Sequence, residues 1–115
     1  MFLMPSLYEP CGLTQMFSLK YGTIPIVRAT GGLQDTVIDP NEGHWPGTGF
    51  KFDRFHSHEM ILAVRRAIEA FQHRKLWQAM MRKAMAQDFS WEHSAKEYLA
   101  VFERAIAAKQ GDTKA

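Results

Sequence analysis

Cysteine is nearly absent from this chain: Cys11 is the single one among 115 residues. One thiol excludes an internal disulfide framework and any multi-cysteine metal site, and it favours a reducing compartment, with the cytoplasm as the default. Charge of one sign is lacking too. A formal net charge of +2 is too small to draw the chain to nucleic acid or to a membrane surface by summed field, so neither partner is expected. No apolar run approaches the roughly 20 residues that a bilayer span needs. The start, Met1-Phe2-Leu3-Met4-Pro5, has no basic flank and no small-residue cleavage site, so a secretory peptide is not expected.

What is present is the material of a core. With 46% hydrophobic, 12% aromatic and 23% charged residues, the chain has globular composition and the length of one small domain or a piece of a larger one. All five prolines lie between Pro5 and Pro46, and seven of the eight glycines between Gly12 and Gly49. Charge divides at the same place, −1 over residues 1–56 and +3 over residues 57–115. The expectation is a segment 1–56 of short strands and helices, and a helical segment 57–115 packing on the same domain.

In the first segment, Phe2–Met4 reads as the end of a buried parallel strand. A short helix is expected over Leu13–Lys20, ended by Gly22, then an inner strand at Ile24–Val27 in which Pro25 must sit first or lose a ladder bond. Thr30-Gly31-Gly32-Leu33 turns into a short helix through Val37, Asp39–Gly49 is a loop, and Thr48–Phe52 alternates like a strand. That order is the βαβ pattern of a parallel α/β sheet, here a partial Rossmann-like domain.

The second segment carries three amphipathic patterns. Met60, Ile61, Val64, Ile68 and Phe71 recur at helical spacing after a cap at Ser57. Leu76, Trp77, Met80, Met81 and Met85 repeat the spacing, and Ser90 caps a third helix with an inner face of Ala95, Tyr98, Leu99, Phe102 and Ile106. The tail from Lys109 to Ala115 is polar and expected to fray.

Chemistry concentrates in Pro5-Ser6-Leu7-Tyr8-Glu9-Pro10-Cys11-Gly12-Leu13-Thr14-Gln15. This places a carboxylate on a proline-stiffened loop before a glycine-opened helix, at the carboxyl end of a parallel strand, where α/β sheets bind ligands. Unpaired amides around Gly12–Gln15, with the positive end of a helix dipole behind them, suit a diphosphate, and Glu9 suits sugar hydroxyls or developing positive charge. On the residues alone, ordinary turn chemistry stays open as the alternative.

The same stretch, with Leu19–Arg28, Thr30–Val37, Gly47-Thr48-Gly49-Phe50, and Phe89-Ser90-Trp91 through Ser94-Ala95 and Tyr98, closely resembles the C-terminal domain of bacterial glycogen synthases and plant starch synthases. The resemblance covers nearly the whole chain, and Glu-Pro-Cys-Gly-Leu-Thr-Gln is its most specific part. It implies the C-terminal half of a GT-B enzyme, a retaining glucosyltransferase with two Rossmann-like domains. Such an enzyme moves α-glucose from ADP-glucose to the non-reducing end of an α-1,4-glucan, releases ADP, and uses no cofactor or metal. By that resemblance Glu9 is the active-site acid near the donor glucose, Cys11 lies at the donor site, and Gly12, Leu13, Thr14 and Gln15 hold glucose and diphosphate. Related transferases carry a second glutamate eight residues on; here Phe17 stands there and is expected to face the nucleotide. The implied partners are ADP-glucose or ADP, the glucan and an N-terminal domain. An isolated chain is expected not to turn over.

The remaining candidates have plainer readings. Thr30-Gly31-Gly32-Leu33 resembles a phosphate loop but reads better as a tight turn supporting the site. His44, His56, His58, His73 and His93 lack an acidic cluster and read as solvated or capping residues. Trp45 in the glycine-rich loop is expected to pack there, with a glucan contact as the alternative. A second function class also stands, a non-catalytic nucleotide-sugar or glucan binding module that associates through exposed strand edges, as does a transferase with another donor such as UDP-glucose.

Overall fold

The apolar run around Ile26 and Val27 becomes the middle strand of a three-stranded parallel sheet in the computed structural model, which describes residues 1–112. Strands β1 (Phe2–Met4), β2 (Pro25–Arg28) and β3 (Phe50–Phe52) lie in that order, with Leu3 opposite Ile26 and Ile26 opposite Phe50. Pro25 takes the first position of β2, where a missing N–H costs the ladder least. Alternation sends Ile26 to one face of the sheet and Val27 to the other.

Helices α1 (Thr14–Lys20) and α2 (Gly31–Thr36) join the strands, giving the expected strand-helix order. After β3 come α3 (Ser57–Gln72), α4 (Arg74–Met85) and α5 (Trp91–Asp112). Leu19 of α1 with α3 and α4 covers the face bearing Ile26, Phe50 and Phe52; Leu33 of α2 and Val37 cover Val27. Gly22 ends α1 in a Schellman motif, in which the Thr23 amide donates to Ser18 O at 2.8 Å and the Gly22 amide to Leu19 O at 3.0 Å.

Several expectations are corrected. The buried stripe of α3 is Ala63, Ala67 and Ala70, while Ile61, Ile68 and Phe71 are exposed and Met60 and Val64 only half-buried. Alanines let the helix backbone approach the sheet closely, and the larger residues flank that contact. In α4 the buried residues are Trp77, Met80 and Ala84, and Met85 is exposed. Ser57 is the first helical residue of α3 and not its cap; His56 caps it, its Nδ1 accepting from the His58 amide at 3.2 Å. Strand β1 is an exposed edge, with Phe2 and Leu3 in solvent.

The largest correction concerns α5. Ser90 does cap it, its Oγ accepting from the His93 amide at 3.2 Å. The expected inner face, however, is open: Leu99 is 61% and Phe102 60% exposed, and Tyr98 and Ile106 are exposed as well. The helix projects from the body, which is why the molecule measures 61 Å in one direction against 30 and 24 Å in the others. It runs through Asp112, into the stretch expected to fray; residues 113–115 lie outside the described residues.

Candidate functional site

Parallel pairing brings the carboxyl ends of all three strands to one edge, so the loops after β1, β2 and β3 meet there. The central strand ends in Arg28, and its guanidinium joins the two flanking loops. Its Nε donates to Ser6 O at 2.9 Å, Nη2 donates to Leu7 O, and Nη1 donates to Asp53 O at 3.2 Å. The Phe55 ring lies 5.9 Å beneath the guanidinium carbon. The start of the Glu9 loop is thereby tied to β2.

The far end of that loop rests on the turn after β2. The Gly32 amide donates to both Glu9 O at 3.0 Å and Pro10 O at 3.2 Å. The approach is too close for any other residue: a Cβ at Gly31 would lie 2.0 Å from Glu9 O, and one at Gly32 would lie 1.9 Å from Cys11 O. The two adjacent glycines open α2 and do not form the separate tight turn expected of them, but they make a platform under the acidic loop, which is the supporting role expected.

Gln15 locks the loop from below. Its side chain is wholly buried, and Nε2 donates to Cys11 O at 2.9 Å, Gly12 O at 2.8 Å and Thr36 Oγ1 at 3.2 Å. Gly12, at φ +70°, leaves room that a Cβ would fill, since one there would lie 2.4 Å from Gln15 Oε1 and 2.9 Å from Glu9 Cγ. Gln15 Oε1 is buried without a partner in this arrangement.

What the scaffold leaves open are the groups suited to a ligand. Glu9 is half-buried, and its carboxylate has no hydrogen bond or ion pair among the described residues. The backbone amides of Gly12, Leu13, Thr14 and Gln15 have no backbone partner there either. Leu13, Thr14 and Cys11 are exposed, and so is Phe17. Cys11, Leu13 and Phe17 also line a cavity of about 610 Å³ between α1 and the start of α5, walled opposite by Phe89 and Trp91. Glu9 does not line that cavity, and the Gln15 side chain is turned into the scaffold.

The chain is similar to glycogen synthases along most of its length. It is 59% identical over 108 residues to the glycogen synthase of Anaeromyxobacter sp. (strain Fw109-5), a match covering 94% of this chain and 22% of that protein. The glycogen synthase of Koribacter versatilis (strain Ellin345) is 55% identical over 105 residues, 91% of this chain and 22% of that one. The chain belongs to the glycogen synthase family. It corresponds to the C-terminal part of a glycogen or starch synthase and spans about a fifth of the length of these relatives.

Among solved structures, the catalytic domain of starch synthase IV from Arabidopsis thaliana, bound to ADP and acarbose, superimposes with a TM-score of 0.78 at 38% identity. That match covers 93% of this chain and 22% of the other. No family model matches the chain. Glycogen synthases are glycosyltransferases, and the α/β body with a parallel sheet is the fold of that starch synthase domain. Within this glycogen synthase segment, Arg28 is the site-building residue that sequence reading passed over. An arginine closing an otherwise apolar inner strand was the signal that marked it.

Proposed function

We propose that this chain supplies the donor side of the active site in a retaining glucosyltransferase, which moves α-glucose from ADP-glucose to the non-reducing end of an α-1,4-glucan and releases ADP. The observation that carries the reading is the unpaired Glu9 carboxylate, held on a loop fixed at both ends, beside amides that no backbone group occupies. Breaking the bond between glucose and diphosphate builds positive charge at the anomeric carbon and negative charge on the leaving group. Glu9 hydrogen-bonds a donor hydroxyl and faces the developing cation, acting through orientation and field rather than covalent attack. The amides of Gly12, Leu13 and Thr14 receive the diphosphate, Cys11 and Phe17 border the donor, and Gln15 contributes by holding the loop. The starch synthase neighbour bound to ADP and acarbose supports this pairing of nucleotide and glucan.

No helix among the described residues is long and apolar enough to cross a membrane. The exposed Cys11 thiol fits the reducing cytoplasm, the compartment proposed. The N-terminal domain implied by the family supplies the opposite wall of the site, so the 115-residue chain alone is inactive in this reading. A radiolabelled transfer assay with ADP-glucose and glycogen tests it. The intact protein incorporates label and the isolated chain does not; a lack of incorporation by the intact protein overturns the reading.

A further inference from the structure

The edge of the sheet opposite the Glu9 loop carries an exposed indole with no role in the donor site. Trp45 lies in the loop before β3 and is 68% exposed. That loop is not loose. Asp39 Oδ1 accepts from the Asn41 amide at 3.0 Å, Glu42 Oε2 accepts from the Asp39 amide at 3.0 Å, and Lys83 Nζ donates to His44 O at 3.1 Å. Thr48, wholly buried, closes it by accepting from the Ile38 amide at 3.0 Å. A large apolar ring is thus held in water by an anchored backbone, at the cost of burial free energy a packed tryptophan would provide.

Beside Trp45 lies a cavity of about 240 Å³, with an apolar floor that includes Phe50 and Leu76 and polar groups from Asn41, Glu69 and His73. Its volume falls below the roughly 300–1,000 Å³ of sites for drug-sized ligands, which suits a sugar residue better than a whole nucleotide. An aromatic face with a planar amide and a carboxylate nearby is the chemistry that holds a pyranose: C–H groups against the ring, hydroxyls to the polar side chains. Phosphate is disfavoured, because Arg66 in the lining is already engaged by both Asp39 oxygens at 2.8 and 2.9 Å and by Lys51 O.

We propose that the Trp45 pocket is a second carbohydrate site, holding a stretch of the α-1,4-glucan acceptor away from its reacting end. The inference rests on the glucan-transfer reading above, since a polymeric acceptor is what reaches two places on one protein. Holding the polymer at a second point raises the effective concentration of its chain ends at the active site without adding a contact there.

The test uses the intact protein, wild type and Trp45→Ala, run on native gels with and without embedded glycogen and assayed with glycogen and with maltotriose as acceptors. Trp45→Ala weakens retention by glycogen at least fivefold and raises KM for glycogen, while kcat on maltotriose and the circular dichroism spectrum stay unchanged. Asn41→Ala and Glu69→Ala shift retention in the same direction. Unchanged retention of Trp45→Ala, or a wild-type protein that glycogen does not retard, overturns the proposal. A wild type that is retarded but transfers no glucose overturns the catalytic reading instead, and retention of the variants still decides this one.

Discussion

Arg28 donates from Nε to the carbonyl of Ser6 at 2.9 Å, so the last residue of the central strand fixes the first turn of the loop that presents Glu9 three residues later. The planar guanidinium also donates to the carbonyls of Leu7 and Asp53, a set of three acceptors that an ammonium group on a flexible stem does not reproduce. Arg28→Lys in the intact protein therefore lowers kcat for transfer about tenfold, the equivalent of about 1.4 kcal/mol of misplacement. KM for the glucan acceptor stays within twofold. A variant that loses only thermal stability, with kcat intact, would assign Arg28 to the fold alone.

Gly32 admits no side chain. A methyl group there would have to displace the Cys11 carbonyl, 1.9 Å from the ideal Cβ position, and with it the loop that carries Glu9. Gly32→Ala is expected to cost about 3 kcal/mol, at the top of the range for overpacking, because backbone and not a flexible side chain stands in the way. Chemical denaturation with a fluorescence readout measures it.

Asp39 and Arg66 give the fold an acid limit. Burial pushes the Asp39 carboxyl up, but hydrogen bonds from Arg66 and from the amides of Asn41 and Lys51, with the Arg66 charge, outweigh it and leave the pKa below its ordinary 3.8. The group is thus more acidic folded than unfolded, so the unfolded chain binds more protons at low pH. Its stabilisation is fully present above about pH 4 and is lost as pH falls through the lowered value. Arg66→Met leaves the Asp39 carboxylate with only the amides of Asn41 and Lys51 and no opposite charge, and costs about 3 kcal/mol at pH 7. Urea midpoints from pH 7 down to pH 3 should fall more steeply below pH 4 in the wild type than in the variant.

The open apolar face of α5 is expected to make the isolated chain self-associate. Leu99→Glu with Phe102→Glu replaces two side chains that are already in solvent, so folding stability changes by less than about 0.5 kcal/mol. Sedimentation velocity at rising concentration should show the wild-type chain self-associating and the double variant sedimenting as a monomer.

The sequence was most legible where local rules decide the outcome. Pro25 at the head of an inner strand, Gly22 at a helix end and Ser90 as a cap each follow from backbone chemistry within a few residues. Periodicity failed where two apolar stripes compete on one helix. In α3, Ile61 and Ile68 outweigh the alanines on any hydrophobicity scale, yet Ala63 and Ala67 face the sheet because closeness of approach decides the packing. In α5 the apolar residues do recur on one face, but a pattern does not show what covers it, and the expected inner face is open. At the site, the motif marked Glu9 and Gly12. It did not show that Gln15 is a buried tie, because its partners Gly12 and Thr36 meet only once α2 folds back beneath the loop. Arg28 stood out only as a charge at the end of an apolar strand, and its role stayed hidden because its acceptors are backbone carbonyls that no side-chain pattern encodes.

If the unpaired Glu9 carboxylate acts on the donor sugar, Glu9→Gln in the intact protein removes that action and leaves its frame in place. The side chain keeps its shape and loses its charge, and the loop is held by Arg28, Gly32 and Gln15, none of which bonds that carboxylate. Initial rates with ADP-glucose and glycogen should fall by about 100-fold or more, as for loss of a group aimed at developing charge, while ADP still binds with its original affinity. A variant that transfers glucose within twofold of the wild-type rate would strip Glu9 of that role.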